Sequence, residues 1–306
     1  MRARSIVVIS LLTASGWLLS KYQPVWSASG MVAGACGDSA VLSWEPSAPR
    51  QGALFQVRVT GVPRGAGLDG EVAGQPLHFA PSADSAVLES FAAVPIDGER
   101  SLGFRVRCSS GEGIDSLAAR VEAARADYPI DRLKVAPEFG RQPDSATAER
   151  IRRESERAIE VARSAHVTPR LWSELFVLPR QSRITGGFGH GREYNGTLTS
   201  RHMGTDFAGT VGAPVRAANR GVVRIVDAFY YGGNVVYLDH GAGLTSAYLH
   251  LSKQMVSSGD TVARGQVIGQ VGATGRVTGP HLHLIVRYGD VTVDPLSLYA
   301  IAGDRR

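Results

Sequence analysis

From residue 30 to about residue 125, apolar and polar positions alternate in short runs. "LFQVRVTGV" (54–62) places Phe55, Val57 and Val59 on one face, and "SLGFRVRC" (101–108) repeats the alternation. Turn-forming pieces such as "PRGAGLDG" and "PIDGER" separate these runs, so the region reads as a series of short strands. The period then changes. In "PDSATAERIRRESERAIEVARSAH" (143–166), Ile151, Ala158, Ile159 and Ala162 recur at helical spacing among charged residues. Asp144 or Ser145 can cap that helix. The pattern predicts an amphipathic helix on the surface of one domain or between two, with its Arg/Glu run as a solvated face. After "LWSELFVLP" (171–179) the texture shifts again at Arg180. From 181 to about 300 the chain is rich in Gly and Val, and "GAPVRAANRGVVRIVDAFYYGGNVVYLDHGAGLTSAYLHL" reads as successive strands joined by glycine turns.

The predicted fold class is therefore mainly β. An N-terminal β-sandwich-like domain, immunoglobulin-like in its spacing of strands and turns, occupies 29–130. A linker with the amphipathic helix occupies 131–180, and an antiparallel β domain with a crevice between loops occupies 181–306. A chain of 306 residues is long enough to bury a core in each domain. Its first residues are unlike the rest. Arg2 and Arg4 precede an apolar run from Ile6 to Leu19, and "VWSASG" (25–30) supplies small residues suited to cleavage. This predicts a secretory signal peptide over 1–28 rather than an uncleaved anchor, and export to the periplasm or cell envelope.

The formal charge is +5, but Arg2, Arg4 and Lys21 lie in the leader, which leaves the remainder at +2. That is too mild to imply a nucleic-acid partner and is compatible with an acidic polymer such as cell wall. The two cysteines, Cys36 and Cys108, predict one disulfide in an exported N-terminal domain. Lipid attachment at Cys36 in "GAC" is disfavoured, because it lies well past the apolar run and lacks a Leu ahead of it.

Histidine carries the candidate chemistry. Of eight histidines, five lie beyond residue 200: His202, His240, His250, His281 and His283. His190 sits in the Gly-rich loop just before them. His78 reads as an ordinary strand histidine and His240, in "LDHGAG", as a turn histidine. In "HMGTDFAG", His202 and Asp206 stand four apart; Gly204, Gly209 and Pro214 argue against a helix, and extended chain returns both side chains to one face. In "GPHLHLIV", His281 and His283 share one strand face. His250, in "YLHLS", ends another strand. The bland account of the paired histidines is a satisfied core. If the three segments converge, they instead deliver several imidazoles and a carboxylate to one crevice. Imidazole and carboxylate are zinc's usual protein donors where thiolate is absent, and three of them leave a position for water. Both cysteines lie far upstream, which excludes a closed thiolate site here. Spacing alone leaves open which of His281 and His283 is the ligand.

These segments resemble the lysostaphin-type zinc peptidoglycan endopeptidases, the LytM-like family. The pieces run in family order: "GGFG" (186–189), "NG" (195–196), "RHMGTDFAG" (201–209), "GAPVRAANRGVV" (212–223), "GGNVVYLDHGAGLTSAYLHLS" (232–252), "GDTVARGQVIGQVGATG" (259–275) and "TGPHLHLIV" (278–286). Coverage is about 181–297, and the upstream β domain and helix also look like the N-terminal part of some exported members. The resemblance implies one zinc ion per chain held by His202, Asp206 and His283, with His250 and His281 handling protons. It implies hydrolysis of peptide cross-links or stems of peptidoglycan. The N-terminal domain is expected to position substrate, bind a regulatory partner or cover the site until displaced, and the sequence does not choose among these. Two departures bear on substrate preference: "HGREYNG" stands where relatives often carry paired arginines, and Thr205 where an aliphatic residue is usual. A silent wall-binding protein or activator of another hydrolase is the alternative; such relatives typically lack zinc ligands. "GDTVARGQVIG" also resembles lipoyl and biotin carriers, but the only lysine after Lys134, Lys253, is not at a hairpin centre.

Overall fold

The computed structural model describes residues 27–31, 40–82, 86–110, 113–196 and 198–302. The leader up to residue 26 and Cys36 lie outside these residues. Strand Ser27–Met31 pairs with Val41–Glu45, and thus straddles the boundary drawn at residue 28.

Two antiparallel sheets build the N-terminal part. The first contains strands Val41–Glu45, Leu54–Thr60 and Val87–Ala93; the second contains Gly67–Val72, Ser101–Ser110 and Gly113–Glu122. One core lies between them, with Leu42, Trp44, Phe55, Val57 and Val59 facing Val72, Val106, Leu117 and Val121. The alternation in 54–62 thus points Phe55, Val57 and Val59 inward, as period 2 requires. Cys108 is buried in the same core.

The helix runs Ser145–Ser164, and the Asp144 carboxylate caps it by accepting from the Thr147 N–H at 2.7 Å. It lies on the outer face of the C-terminal sheet. Ala158 and Val161 pack on Ile225, Phe229, Val235, Tyr237, Ala247 and Leu249. Arg157–Asp227 and Arg163–Asp290 ion pairs tie its exposed side to the same sheet.

The C-terminal sheet orders its strands Ile184–Gly186, Thr205–Ala208, His281–Tyr288, Leu244–Gln254, Gly233–Gly241, Gly221–Phe229 and Thr261–Val262, each antiparallel to its neighbour. Helix Pro295–Ala302 and the sandwich close its other face. Leu54, Phe91 and Ala93 of the sandwich enter the C-terminal core, and the Leu54 and Asp294 N–H groups bond across the junction to Ser297 and Gly52.

Two histidine expectations need correction here. His240 lies in strand Gly233–Gly241 and not in a turn; it is fully buried, between the Arg220 carbonyl at 2.7 Å and the Ser246 hydroxyl at 2.8 Å. The following "GAG" makes the turn. His78 lies outside the strands and pairs with His166 across the junction, Nε2 to Nδ1 at 2.8 Å, with stacked rings. The Gln75 Oε1 accepts from His166 Nε2 at 3.2 Å, and the Tyr288 ring stands edge-on to both imidazoles. Burial lowers the His78 pKa to about 4, with neighbouring His166 adding to the effect. Burial also lowers His166, against an opposing pull from Asp290.

Both rings are thus neutral in the fold, whereas an unfolded histidine titrates near 6.5. Between those values the unfolded chain binds more protons, so stability falls as pH drops from about 6.5 toward about 4. The melting temperature is expected to decline over this interval, and less so in His78→Gln. Equal declines in both proteins contradict a neutral His78.

Candidate metal centre

Asp206 and His283 are direct partners on adjacent antiparallel strands, and Ala208 and His281 are the next pair on the same face. Register therefore brings Asp206, His281 and His283 together, while Leu282 points into the core and is fully buried. His202 precedes its strand, and the chain bends at Gly204 before entering it. The four-residue spacing is thus not one run of extended chain, as the sequence suggested. A Cβ at Gly204 would lie 2.4 Å from the Leu284 carbonyl and 2.6 Å from His283 Nε2, so only glycine allows the bend this close. His250 lies within strand Leu244–Gln254 rather than at its end. Asn234 and Val236 pair with Leu251 and Tyr248, so the strand carries one extra residue, and His250 adopts φ 63°. This bulge turns its imidazole toward the other histidines.

Three donors converge. His202 Nε2 is 3.0 Å from Asp206 Oδ1 and 2.9 Å from His283 Nδ1, and His283 Nδ1 is 2.7 Å from Asp206 Oδ1. All three residues are buried. His202 Nδ1 donates to the Gly187 carbonyl at 2.6 Å, so its proton is fixed there and Nε2 presents a lone pair. That lone pair faces a carboxylate oxygen, a repulsive contact that a cation resolves. The triangle edges fall slightly below the roughly 3.3 Å that a tetrahedral ion with bonds of about 2.0–2.1 Å requires, so small outward shifts accommodate one. Burial resists ionisation of Asp206, but the His202 and His283 imidazoles set against it outweigh that cost and hold the carboxyl well below its usual range. Burial lowers His283 to about 4 against the pull of Asp206. Both are therefore in ligand form at neutral pH.

His281 and His250 border this triad. Their Nδ1 atoms donate to the carbonyls of Gly279 and Thr274, each at 2.8 Å. Nε2 of each is left as a proton acceptor. His281 Nε2 lies 3.6 Å from Asp206 Oδ1 and has no hydrogen-bond partner among the described residues. The His250 ring centroid is 5.0 Å from that of His281 and 5.7 Å from that of His283. Burial, then the two neighbouring imidazoles, pushes His250 far down, so it is neutral. His190 stays outside the cluster and bonds Asp131 at 3.0 Å. Thr205 is buried with its hydroxyl unpartnered among the described residues.

Arginines join the site that spacing did not indicate. Arg192 Nη2 donates to Asp206 Oδ2 at 2.7 Å, which leaves Oδ1 to the triad. Gly186 makes room for this pair: a Cβ there would lie 2.4 Å from Asp206 Oδ2. Arg192, Tyr194, Asp206, Arg276 and His281 line a cleft of about 410 Å³, whose far wall is strand Ile130–Leu133 paired parallel to Gly191–Tyr194. The single arginine of "HGREYNG" thus sits on the Asp206 carboxylate.

Two imidazoles and a carboxylate beside two further imidazoles, in a cleft on an antiparallel sheet, form a donor set that could hold one metal ion. Residues 200–295 match the model of Peptidase family M23. Peptidoglycan DD-endopeptidase ShyB of Vibrio cholerae is 43% identical over 117 residues, which is 37% of this chain and 27% of that protein. Peptidoglycan DD-endopeptidase ShyA of the same organism is 53% identical over 88 residues, 28% of this chain and 20% of that protein. The chain spans about a quarter of the length of these curated relatives. A crystal structure of a candidate M23 peptidase from Pseudomonas aeruginosa superposes with a TM-score of 0.65 at 26% identity, covering 84% of this chain and 96% of that one. Residues 200–295 are thus similar to peptidase family M23.

Proposed function

We propose that the protein is an exported zinc metalloendopeptidase that hydrolyses peptide cross-links of bacterial peptidoglycan in the periplasm or cell envelope. The convergence of His202 Nε2, Asp206 Oδ1 and His283 Nδ1 within about 3 Å carries this proposal. An all-nitrogen and oxygen donor set favours zinc among abundant ions. A cross-link between D-amino acids is favoured over a glycine bridge by the likeness to two DD-endopeptidases. All five central residues are present, which supports an active enzyme over a silent wall-binding protein or activator.

Zinc held by His202, Asp206 and His283 would supply a Lewis acid for the scissile carbonyl and would lower the pKa of water there from about 15.7 toward about 7. The chain's own groups do the rest. Arg192 holds Asp206 in its orientation. His250 Nε2 and His281 Nε2 present lone pairs to the attacking water and accept its proton as its oxygen bonds to the carbonyl carbon. As the C–N bond breaks, the same imidazolium returns the proton to the leaving amine. A neutral imidazole suits both halves of this exchange.

Digestion of purified cell wall, followed by mass spectrometry of the released muropeptides, tests the proposal and names the bond cut. Chelation should abolish release and zinc restore it; full activity in metal-free protein overturns the scheme. We also propose a Cys36–Cys108 disulfide and a domain division near 130 and 180. A thiol-reactive label that leaves the unreduced protein unmodified supports the bridge, and labelling of both cysteines contradicts it.

A further inference from the structure

The cleft is more cationic than catalysis requires. Arg276 lies on its wall with Arg192. Its backbone N–H bonds to the Tyr231 carbonyl at 2.9 Å, and its guanidinium is sandwiched between two rings, 4.2 Å from the Tyr194 centroid and 4.0 Å from the Tyr231 centroid. The loop below it is tightly held: a Cβ at Gly275 would lie 2.4 Å from the Gly233 nitrogen. Arg276 is thus rigid, half-buried and fixed in orientation. Yet among the described residues no carboxylate or carbonyl accepts from its five N–H donors. The acids nearby are engaged, Asp206 by Arg192 and the triad, Asp131 by His190. A preoriented guanidinium beside a second one, without its own anion, is suited to receive a carboxylate.

We propose that Arg276, stacked between Tyr194 and Tyr231, binds a free carboxylate on the residue next to the scissile bond and so selects carboxylate-bearing cross-linked peptides over amidated or uncharged ones. The stacking leaves the edge of the guanidinium free, and planar bidentate pairing with a carboxylate uses that edge. The inference rests on the peptidoglycan proposal for its choice of substrate, but its test is separable.

The probes are two synthetic cross-linked muropeptide dimers, identical except that the second carboxylate of the diamino acid is free in one and amidated in the other. Binding is measured by calorimetry on full-length, zinc-loaded His250→Ala protein, and kcat/KM on the unsubstituted protein. A charge-assisted pair predicts a preference of about tenfold or more for the free-carboxylate dimer in both measurements. Arg276→Met, whose apolar stem still fills the gap between the rings, should erase the preference without changing zinc content, and Arg276→Lys should restore part of it. Equal binding of the two dimers, or a preference that persists in Arg276→Met, overturns the inference. Hydrolysis of both dimers without discrimination sinks the carboxylate subsite alone. Selective binding with no hydrolysis by the unsubstituted protein sinks the hydrolase proposal and leaves the subsite standing.

Discussion

Full-length protein carrying His283→Ala is expected to lose bound metal and hydrolytic activity together. His283 Nδ1 is the corner of the donor triangle closest to Asp206 Oδ1, at 2.7 Å. Without it, His202 and Asp206 remain as two donors, too few to hold zinc against water at the affinity of a three-ligand site. The loss in metal affinity should exceed the roughly 10–100-fold that removal of an outer partner such as Arg192 costs. Activity should fall to background. Metal stoichiometry measured alongside wall digestion checks this; a variant that keeps one zinc per chain removes His283 from the ligand set.

His250→Ala is expected to separate the two properties. Its imidazole is anchored on the Thr274 carbonyl and borders the triad without belonging to it. Zinc content should stay at the unsubstituted level. Turnover should drop by about 10²–10⁴-fold, the usual contribution of a positioned proton-transfer group. Unchanged turnover, or loss of zinc equal to that of His283→Ala, would falsify the assignment of His250 to proton transfer.

What the sequence made legible was local. Strand alternation is a two-residue property, so the inward set Phe55, Val57 and Val59 and the shared face of His281 and His283 could be seen directly. Asp144 was one of two capping choices, and the backbone selected it. Features that depend on a backbone departure were not visible. His202 reaches Asp206 through the bend at Gly204, and His250 reaches the cluster through a bulge with a positive φ. Histidine in that conformation costs energy, on the order of 1–3 kcal/mol, which no spacing pattern announces. Arg192 and Arg276 were missed for another reason. Their partners are remote in sequence, and a lone arginine in a Gly-rich loop looks like a solvated charge. The pairing of His78 with His166, 88 residues apart, was missed for the same reason.

The pairing of Asp206 directly opposite His283 has a further consequence. Side chains alternate along a strand, so a one-residue slip between these two strands would send His283 to the far face and bring Leu282 or Leu284 to the cleft. A slipped sheet would still bury apolar residues on both sides, because this strand is rich in them. It could not assemble the donor triangle. A metal held by His202, Asp206 and His283 would therefore act as a proofreading step for the sheet itself: it would reward only the register that assembles the three donors, and would add its binding energy to that arrangement alone.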